Sequence, residues 1–249
     1  MTAPDDKREA SLHGRIVLVT GANGGLGEQF VLQALERGAS KVYAAARTPR
    51  AWADARIQPL SLDITDADAV RNAVLAAPDV DLLINNAAIA PQGDSLFGSE
   101  DAARDIFDTN FFGTLRVANA FAPILAANGG GTMLNILSSA VWVSIPTAYA
   151  ASKAAMWSAT NGLRFALEGQ GTQVVGLHVG MVDTPMAAHF DTPKSSPASV
   201  VAQAYDGVAA GDIEVLADEQ TRDLKSRLGE KAEEFYPWLH GMLRALLGS

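Results

Sequence analysis

The sequence contains no cysteine among its 249 residues. This absence excludes disulfide bonds, a catalytic thiolate and any zinc site with cysteine ligands. The four histidines, His13, His178, His189 and His240, lie far apart and show none of the spacings typical of metal ligands. We therefore expect neither thiol chemistry nor a metal centre.

Long apolar runs are also lacking, since none approaches the roughly 20 residues that cross a bilayer. Positive charge is scarce, because 19 lysine and arginine residues stand against 28 aspartate and glutamate residues. Nucleic-acid binding needs clustered basic residues, so we do not expect that partner. The polar residues 1–12 lack the apolar stretch of a secretory signal, and we predict a disordered tail there. These features predict a soluble, cytoplasmic protein without membrane association, with one domain over residues 13–249.

Short apolar segments alternate with longer segments of helical periodicity. The expected strands are residues 16–20, 41–46, 57–62, 81–85, 133–137 and 173–179. Continuously apolar strands suit a parallel sheet that helices cover on both faces. The alternation predicts a single-domain α/β fold, a Rossmann-type doubly wound parallel sheet whose ligand site lies at the carboxyl ends of the strands.

A glycine-rich segment follows the first expected strand directly and precedes a helical pattern. It reads Thr20-Gly-Ala-Asn-Gly-Gly-Leu-Gly27, with four glycines in seven residues. Glycines let the backbone approach a pyrophosphate, and the first N–H groups of the next helix attract that anion. The segment predicts a dinucleotide-binding loop that uses Gly21, Asn23, Gly25, Leu26 and Gly27.

Tyr149 and Lys153 are four residues apart, a spacing that places both side chains on one face of a helix. A fixed ammonium beside a phenol favours the phenolate and lowers the pKa of the tyrosine from its ordinary value of about 10. Such a pair can transfer a proton near neutral pH. Alone the pair is weak evidence, because many solvated helix faces carry one by chance.

Together, these motifs resemble those of the short-chain dehydrogenase/reductase family, and the chain looks like a carbonyl reductase of that family. The resemblance implies a catalytic group made of Asn110, Ser138, Tyr149 and Lys153. It implies that Tyr149 delivers a proton, that Ser138 polarises the substrate carbonyl and that Asn110 holds a water. The loop between the serine and the tyrosine is shorter than is usual in the family, which leaves Ser139 as an alternative to Ser138.

The resemblance covers residues 14–219 and extends to the cofactor. The second expected strand ends without an acidic residue and is followed by Arg47, whose guanidinium can bind a phosphate in bidentate fashion. This resembles members of the family that prefer NADP, so we expect NADP(H), with NAD(H) as the alternative. By resemblance, the other cofactor contacts are Asp63, Ile64, Asn86, Ala87, Tyr149, Lys153, Val182 and Thr184.

Apolar residues occupy the segments that line the substrate cleft in the family, namely Trp142, Ile145, Met181, Met186 and Phe190. They favour a small or medium-sized, largely apolar ketone or aldehyde as substrate. Two alternatives stay open, a 3-ketoacyl-carrier-protein reductase and a non-catalytic regulator that binds NAD(P). Small residues on the Tyr149 helix resemble subunit contacts of the family and predict a homodimer or homotetramer. The aromatic stretch 235–247 lies beyond the family motifs, and the sequence leaves open whether it covers the cleft or a neighbouring molecule.

Overall fold

A seven-stranded parallel sheet forms the centre of the protein. The computed structural model describes residues 12–143 and 145–247. The strands run in the order β3-β2-β1-β4-β5-β6-β7, and each neighbouring pair is parallel. They are β1 (Ile16–Thr20), β2 (Lys41–Ala46), β3 (Ile57–Ser61), β4 (Leu82–Asn85), β5 (Thr132–Ile136), β6 (Gln173–His178) and β7 (Glu214–Leu216). The predicted doubly wound α/β fold is confirmed. The edge strand β7 is not among the expected strands, because three residues are too few to show a period.

Helices cover both faces of the sheet. They are α1 (Gly25–Glu36), α2 (Ala67–Ala76), α3 (Glu100–Phe107), α4 (Thr114–Ala127), α5 (Ala148–Ala166), α6 (Pro197–Ala210), α7 (Glu219–Ser226) and α8 (Ala232–Leu247). A π-helical segment, Asp108–Gly113, joins α3 to α4. Within the described ranges, no helix is long and apolar enough to cross a bilayer.

The apolar core has one layer on each side of the sheet. Helices α1 and α6 cover one face, where Tyr205 donates its hydroxyl to the Phe30 carbonyl oxygen at 2.6 Å. Helices α2, α4 and α5 cover the other face, around Leu83 and Phe121. Burial of such a side chain stabilises the fold by roughly 1.5–3 kcal/mol, so both layers are held mainly by the hydrophobic effect.

A third apolar cluster lies apart from these two layers. It consists of Trp142, Val143, Leu224, Phe235, Leu239 and Leu243. The first two residues belong to the loop after β5, and the others belong to α7 and α8. The C-terminal helix therefore packs against a loop at the carboxyl edge of the sheet.

The predicted tail, residues 1–12, lies outside the described residues except for its last member. Leu12 is fully buried in the core, and its N–H donates to the Arg37 carbonyl oxygen at 3.0 Å. The folded domain therefore includes Leu12.

The chain reverses its direction of winding between β1 and β4. From β1 it moves outward to β2 and β3, and then it crosses to β4 on the other side of β1. In doubly wound sheets this switch point opens a crevice outside the carboxyl ends of the strands, where ligands bind. The fold therefore places a binding site beside the end of β1, where the glycine-rich segment begins.

Candidate active site

A cleft of about 1260 Å³ opens at the carboxyl edge of the sheet, beside the switch point. Most of the predicted cofactor contacts line it, namely Gly21, Asn23, Gly25, Leu26, Arg47, Asp63, Ile64, Asn86, Ala87, Tyr149, Lys153, Val182 and Thr184. Ser138 also lines this cleft, whereas Gly27 and Asn110 lie behind its wall. The fold thus brings residues that follow six strands, β1 to β6, into one cavity.

The glycine-rich loop is held in its shape by backbone geometry. Gly21 and Gly25 have φ angles of +67° and +56°, a left-handed conformation that other residues adopt only with strain. A Cβ on Gly27 would lie 2.1 Å from the Gly21 carbonyl oxygen. Only glycine at this position therefore lets the backbone of α1 approach the loop so closely. Gly24 caps α1 without any side chain, which leaves the first N–H groups of the helix for an anion in the cleft.

Two polar side chains join this loop to the end of β4. The Thr20 hydroxyl oxygen accepts hydrogen bonds from the N–H groups of Asn86 and Ala87, both at 3.0 Å. The Asn86 side chain donates to the Thr20 carbonyl oxygen at 2.9 Å. The two loops beside the switch point therefore form one rigid edge.

Arg47 follows β2 and is exposed at the rim of the cleft. In the part of the chain that the structure describes, its guanidinium makes no hydrogen bond or ion pair, whereas nearby Arg50 binds Glu28 at 2.5 Å. Asn23 donates to the Thr48 carbonyl oxygen at 2.8 Å and orders the segment beside Arg47. Hydrogen bonds from Thr65 lower the pKa of Asp63, and the charge of Arg47 contributes to the shift.

The hydroxyl of Ser138 lies close enough to Tyr149 to act on the pKa of the phenol, which it lowers. Ser138 lies two residues beyond the end of β5, where its Oγ accepts from the Ala140 N–H at 3.1 Å and donates to the Val179 carbonyl oxygen at 3.4 Å. Ser139 lines the cleft as well, but Ser138 is the serine whose hydroxyl acts on the pKa of Tyr149. This favours Ser138, and its catalytic role stays a prediction.

Lys153 lies one turn further along α5 and is 5 % exposed. Its Nζ donates to the Ile136 carbonyl oxygen at 2.8 Å and lies 5.9 Å from the centre of the Tyr149 ring. Burial lowers the pKa of Lys153 to about 8. Burial also raises the pKa of Tyr149, while the nearby Ser138 hydroxyl acts in the opposite direction. The pKa of the tyrosine is therefore raised rather than lowered as expected, because burial of the phenol has the largest effect.

Asn110 lies in the π-helical segment and is 1 % exposed. Its Oδ1 accepts from the Ile89 N–H at 2.8 Å, and its Nδ2 donates to the Ile89 carbonyl oxygen at 2.9 Å and to the Ser152 hydroxyl at 3.1 Å. The side chain therefore clamps the loop after β4 to helix α5. The expected role of Asn110 in holding a water stays a prediction.

A carboxylate that the sequence does not single out holds the start of α5. Asp94 accepts hydrogen bonds from the N–H groups of Ala148 at 3.1 Å and Tyr149 at 2.8 Å. Asp94 precedes these two residues by 54 and 55 positions in the sequence. No local signal could have revealed the contact, because Asp94 follows Gly93 in what reads as an ordinary turn.

A second carboxylate, Asp218, holds the loop after β6. It accepts from the Gly180 N–H at 2.7 Å, and it caps α7 by accepting from the Thr221 N–H at 2.7 Å. The same loop meets the glycine-rich segment, since a Cβ on Gly25 would lie 3.3 Å from a methyl group of Thr184. The loop thus closes the cleft from the side of β6.

Four of the residues predicted for the substrate pocket line the cleft, namely Ile145, Met181, Met186 and Phe190. Trp142 lies behind the wall instead. Its ring stacks on His178 with a centre-to-centre distance of 4.3 Å, and the Lys225 Nζ lies 4.6 Å from its centre. This difference from the expectation arises because the loop turns the indole toward the third apolar cluster.

Comparison with known proteins agrees with the fold. The family model described as short chain dehydrogenase matches residues 15–195. A crystal structure of a short chain dehydrogenase from Burkholderia cenocepacia J2315 in complex with NADP is 32 % identical. It covers 92 % of this chain and 98 % of its own, with a TM-score of 0.85. The chain belongs to the short-chain dehydrogenase/reductase family and is an NAD(P)-dependent oxidoreductase.

Two characterised relatives illustrate how the family varies. Galactitol 2-dehydrogenase from Agrobacterium fabrum is 31 % identical over 185 residues, which are 69 % of this chain and 72 % of that protein. NADPH-dependent 1-acyldihydroxyacetone phosphate reductase from Schizosaccharomyces pombe is 31 % identical over 179 residues, which are 68 % of this chain and 60 % of that protein. Their substrates differ, so kinship alone leaves the substrate of this chain open.

Proposed function

We propose that the protein is an NADPH-dependent reductase that converts small or medium-sized apolar ketones or aldehydes to alcohols, and that runs in reverse as a secondary alcohol dehydrogenase. The hydroxyls of Ser138 and Tyr149 carry this proposal, because both residues line the cleft and Ser138 is close enough to lower the pKa of the phenol. They lie at the carboxyl end of β5, in the same cleft as the glycine-rich loop. A carbonyl oxygen placed between them would face two proton donors at once.

The residues present fit a dinucleotide. The uncapped start of α1 suits a pyrophosphate, and Arg47 at the rim suits the 2′-phosphate that distinguishes NADP from NAD. The absence of an acid at the end of β2 removes the repulsion that an NAD-specific site exerts on this phosphate. Bound NADPH supplies the hydride. We propose NADP(H) as the preferred cofactor, with NAD(H) used less well.

The protein groups then have separate tasks. Ser138 can redirect its hydroxyl from the long 3.4 Å bond with the Val179 carbonyl oxygen to the substrate oxygen, and so stabilise the charge that develops there. Tyr149 donates its phenolic proton to that oxygen. Lys153, with a pKa of about 8, carries a proton near neutral pH and lies one turn away. We propose that it restores the proton of the tyrosine.

The apolar side of the cleft supports the substrate class. Met181 and Phe190 line it beside Ile145, whereas Arg47 and Asp63 occupy the opposite end. Binding of an apolar ketone would remove these side chains from water. This burial contributes about 25 cal/mol of favourable free energy for each Å² of apolar surface. A carrier-protein substrate is less compatible with the formal net charge of -9, because it brings an acidic partner.

We also propose that the protein acts in the cytoplasm as a homodimer or homotetramer. Phe165 on α5 is 82 % exposed and Phe112 beside α4 is 53 % exposed. Exposed aromatic residues on neighbouring helices favour association with a second copy. A monomeric mass by light scattering at micromolar concentration would contradict the assembly.

A panel of ketones and aldehydes tests the activity, with NADPH and NADH supplied in parallel and oxidation followed by absorbance. We expect turnover of apolar ketones, with the higher kcat/KM for NADPH. Binding of NADPH without turnover of any carbonyl would favour the regulator instead. Equal efficiency with the two cofactors would contradict the assignment of Arg47.

A further inference from the structure

The last helix, α8, reaches the cleft from outside the segment that the family model matches. That segment ends at residue 195, whereas α8 begins at Ala232. Phe235, Leu239 and Leu243 are spaced by four residues, so they share one face of the helix. All three are buried against the loop after β5 and against α7. The helix is therefore a fixed part of the fold at the carboxyl edge of the sheet.

The final turns of α8 line the cleft itself. Met242 and Leu243 are both among its lining residues. Met242 is half-buried, and its Sδ lies 3.7 Å from the Nε2 of Gln220, which also lines the cleft. Leu243 packs in the same cluster as Val143, on the loop that begins at Ser138. The turn therefore borders the cleft, and Leu243 anchors it to the loop after β5.

These contacts place the turn above the reacting end of the cleft. Gln220 lies beside Asp218, whose carboxylate holds the Gly180 N–H after β6. A Cβ on Gly180 would lie 3.5 Å from the Oε1 of Gln220. Met242 is therefore connected to the loop after β6, while Leu243 is connected to the loop after β5. The helix end therefore bridges the loop that carries Ser138 and the loop after β6.

The side chains at this end of α8 suit an apolar substrate group of variable shape. Met242 joins Met181 and Met186 around the same cavity. Methionine is unbranched and polarisable, and it adapts to irregular apolar or aromatic surfaces. We propose that Met242 and Leu243 form the wall that selects the apolar substituent of the substrate, preferring alkyl or aryl groups that fill the space under α8. This inference rests on the reductase activity proposed above.

Substitution of Met242 tests the wall, because this side chain is half-buried and its truncation leaves the anchors of α8 in place. The assay measures kcat/KM with NADPH for methyl ketones whose second substituent grows from methyl to butyl, phenyl and naphthyl. Met242→Ala should shift the preference toward the larger substituents by about tenfold or more, as expected for changes of pocket size. Met242→Trp should shift it toward the smallest substituent.

His240→Ala is the matched control, since His240 is exposed on the same helix. It should leave the preference unchanged, and all variants should bind NADPH with the affinity of the unmutated protein and melt at a similar temperature. The wall is refuted if Met242→Ala and Met242→Trp alter all ketones by the same factor or not at all, while the unmutated protein reduces them. If the unmutated protein reduces no ketone, the proposed function fails, and the wall fails with it.

Discussion

The two ends of the cleft are built in different ways. The cofactor end is made mainly of backbone: glycines with positive φ angles, the uncapped start of α1 and the hydrogen bonds of Thr20 with the loop after β4. The proposed substrate end is made of side chains from the loops after β5 and β6 and from α8. A backbone cradle suits a constant pyrophosphate, whereas side chains can change with the substrate. The comparison teaches that an anion can be recognised through backbone geometry, while selection of a substrate depends on individual side chains.

The largest effect is expected at the tyrosine, which belongs to the substrate end. Tyr149→Phe removes the phenolic proton, so kcat should fall by roughly 10²–10⁴-fold, the usual contribution of general acid catalysis. The cofactor end should be unaffected, and NADPH affinity should stay close to that of the unmutated protein. Fluorescence titration and steady-state kinetics check both halves of this prediction. Near-normal turnover would show that Tyr149 is not the acid.

The two serines at the end of β5 sharpen the geometry of the substrate end. Ser138→Ala should lower kcat by about 10²–10³-fold, because a donor to the developing oxyanion is lost. Ser139→Ala is the matched control and should change kcat little, since it is the Ser138 hydroxyl that acts on the pKa of Tyr149. Kinetics of the two variants under identical conditions decide the assignment. The reverse ranking would assign the role to Ser139.

Arg47→Asp perturbs the cofactor end alone. The carboxylate would repel the 2′-phosphate, so we expect KM for NADPH to rise about 10–100-fold, corresponding to the loss of a charge-assisted contact. KM for NADH should change much less, and the preference among ketones should persist. Arg50→Asp provides a control, because Arg50 is already paired with Glu28. Parallel loss of affinity for both cofactors would show that Arg47 does not read the phosphate.

Lys153 lies where the two ends meet, and its burial predicts a dependence of stability on pH. Its pKa is about 8 in the folded protein, compared with 10.5 when exposed. Between these values the unfolded chain binds more protons, so this group makes the free energy of unfolding rise as pH increases. Below pH 8 the burial costs about 3 kcal/mol, and this cost disappears toward pH 10.5.

Lys153→Met tests this dependence through urea unfolding at several pH values. The variant should gain stability relative to the unmutated protein at pH 7, and the gain should shrink as pH rises above 8. Measurements below pH 9.5 avoid ionisation of Tyr149, whose pKa is raised above 10. If the difference in the free energy of unfolding between the two proteins is constant with pH, burial of the ammonium does not destabilise the fold.

Local sequence patterns predicted most of the fold and of the cofactor end. Apolar strands, helical periods and the Thr20–Gly27 segment are each encoded within a few neighbouring residues. The contacts of Asn110 and Asp94 could not be predicted in this way, because each joins segments that meet only after folding. The position of Trp142 also depends on packing, since its ring turns toward His178. The short strand β7 is fixed by its pairing with β6 rather than by its own residues.

The sequence by itself therefore determined the family resemblance, the glycine-rich loop and the pair of Tyr149 and Lys153, since spacing on one helix or turn is a local property. Only the tertiary structure decided that Ser138 and Tyr149 line one cleft, that Lys153 binds a strand carbonyl and that the end of α8 lines the same cleft. The physical reason is that hydrogen bonds and apolar contacts form between whichever groups the sheet brings together. Distance along the chain does not reveal those partners.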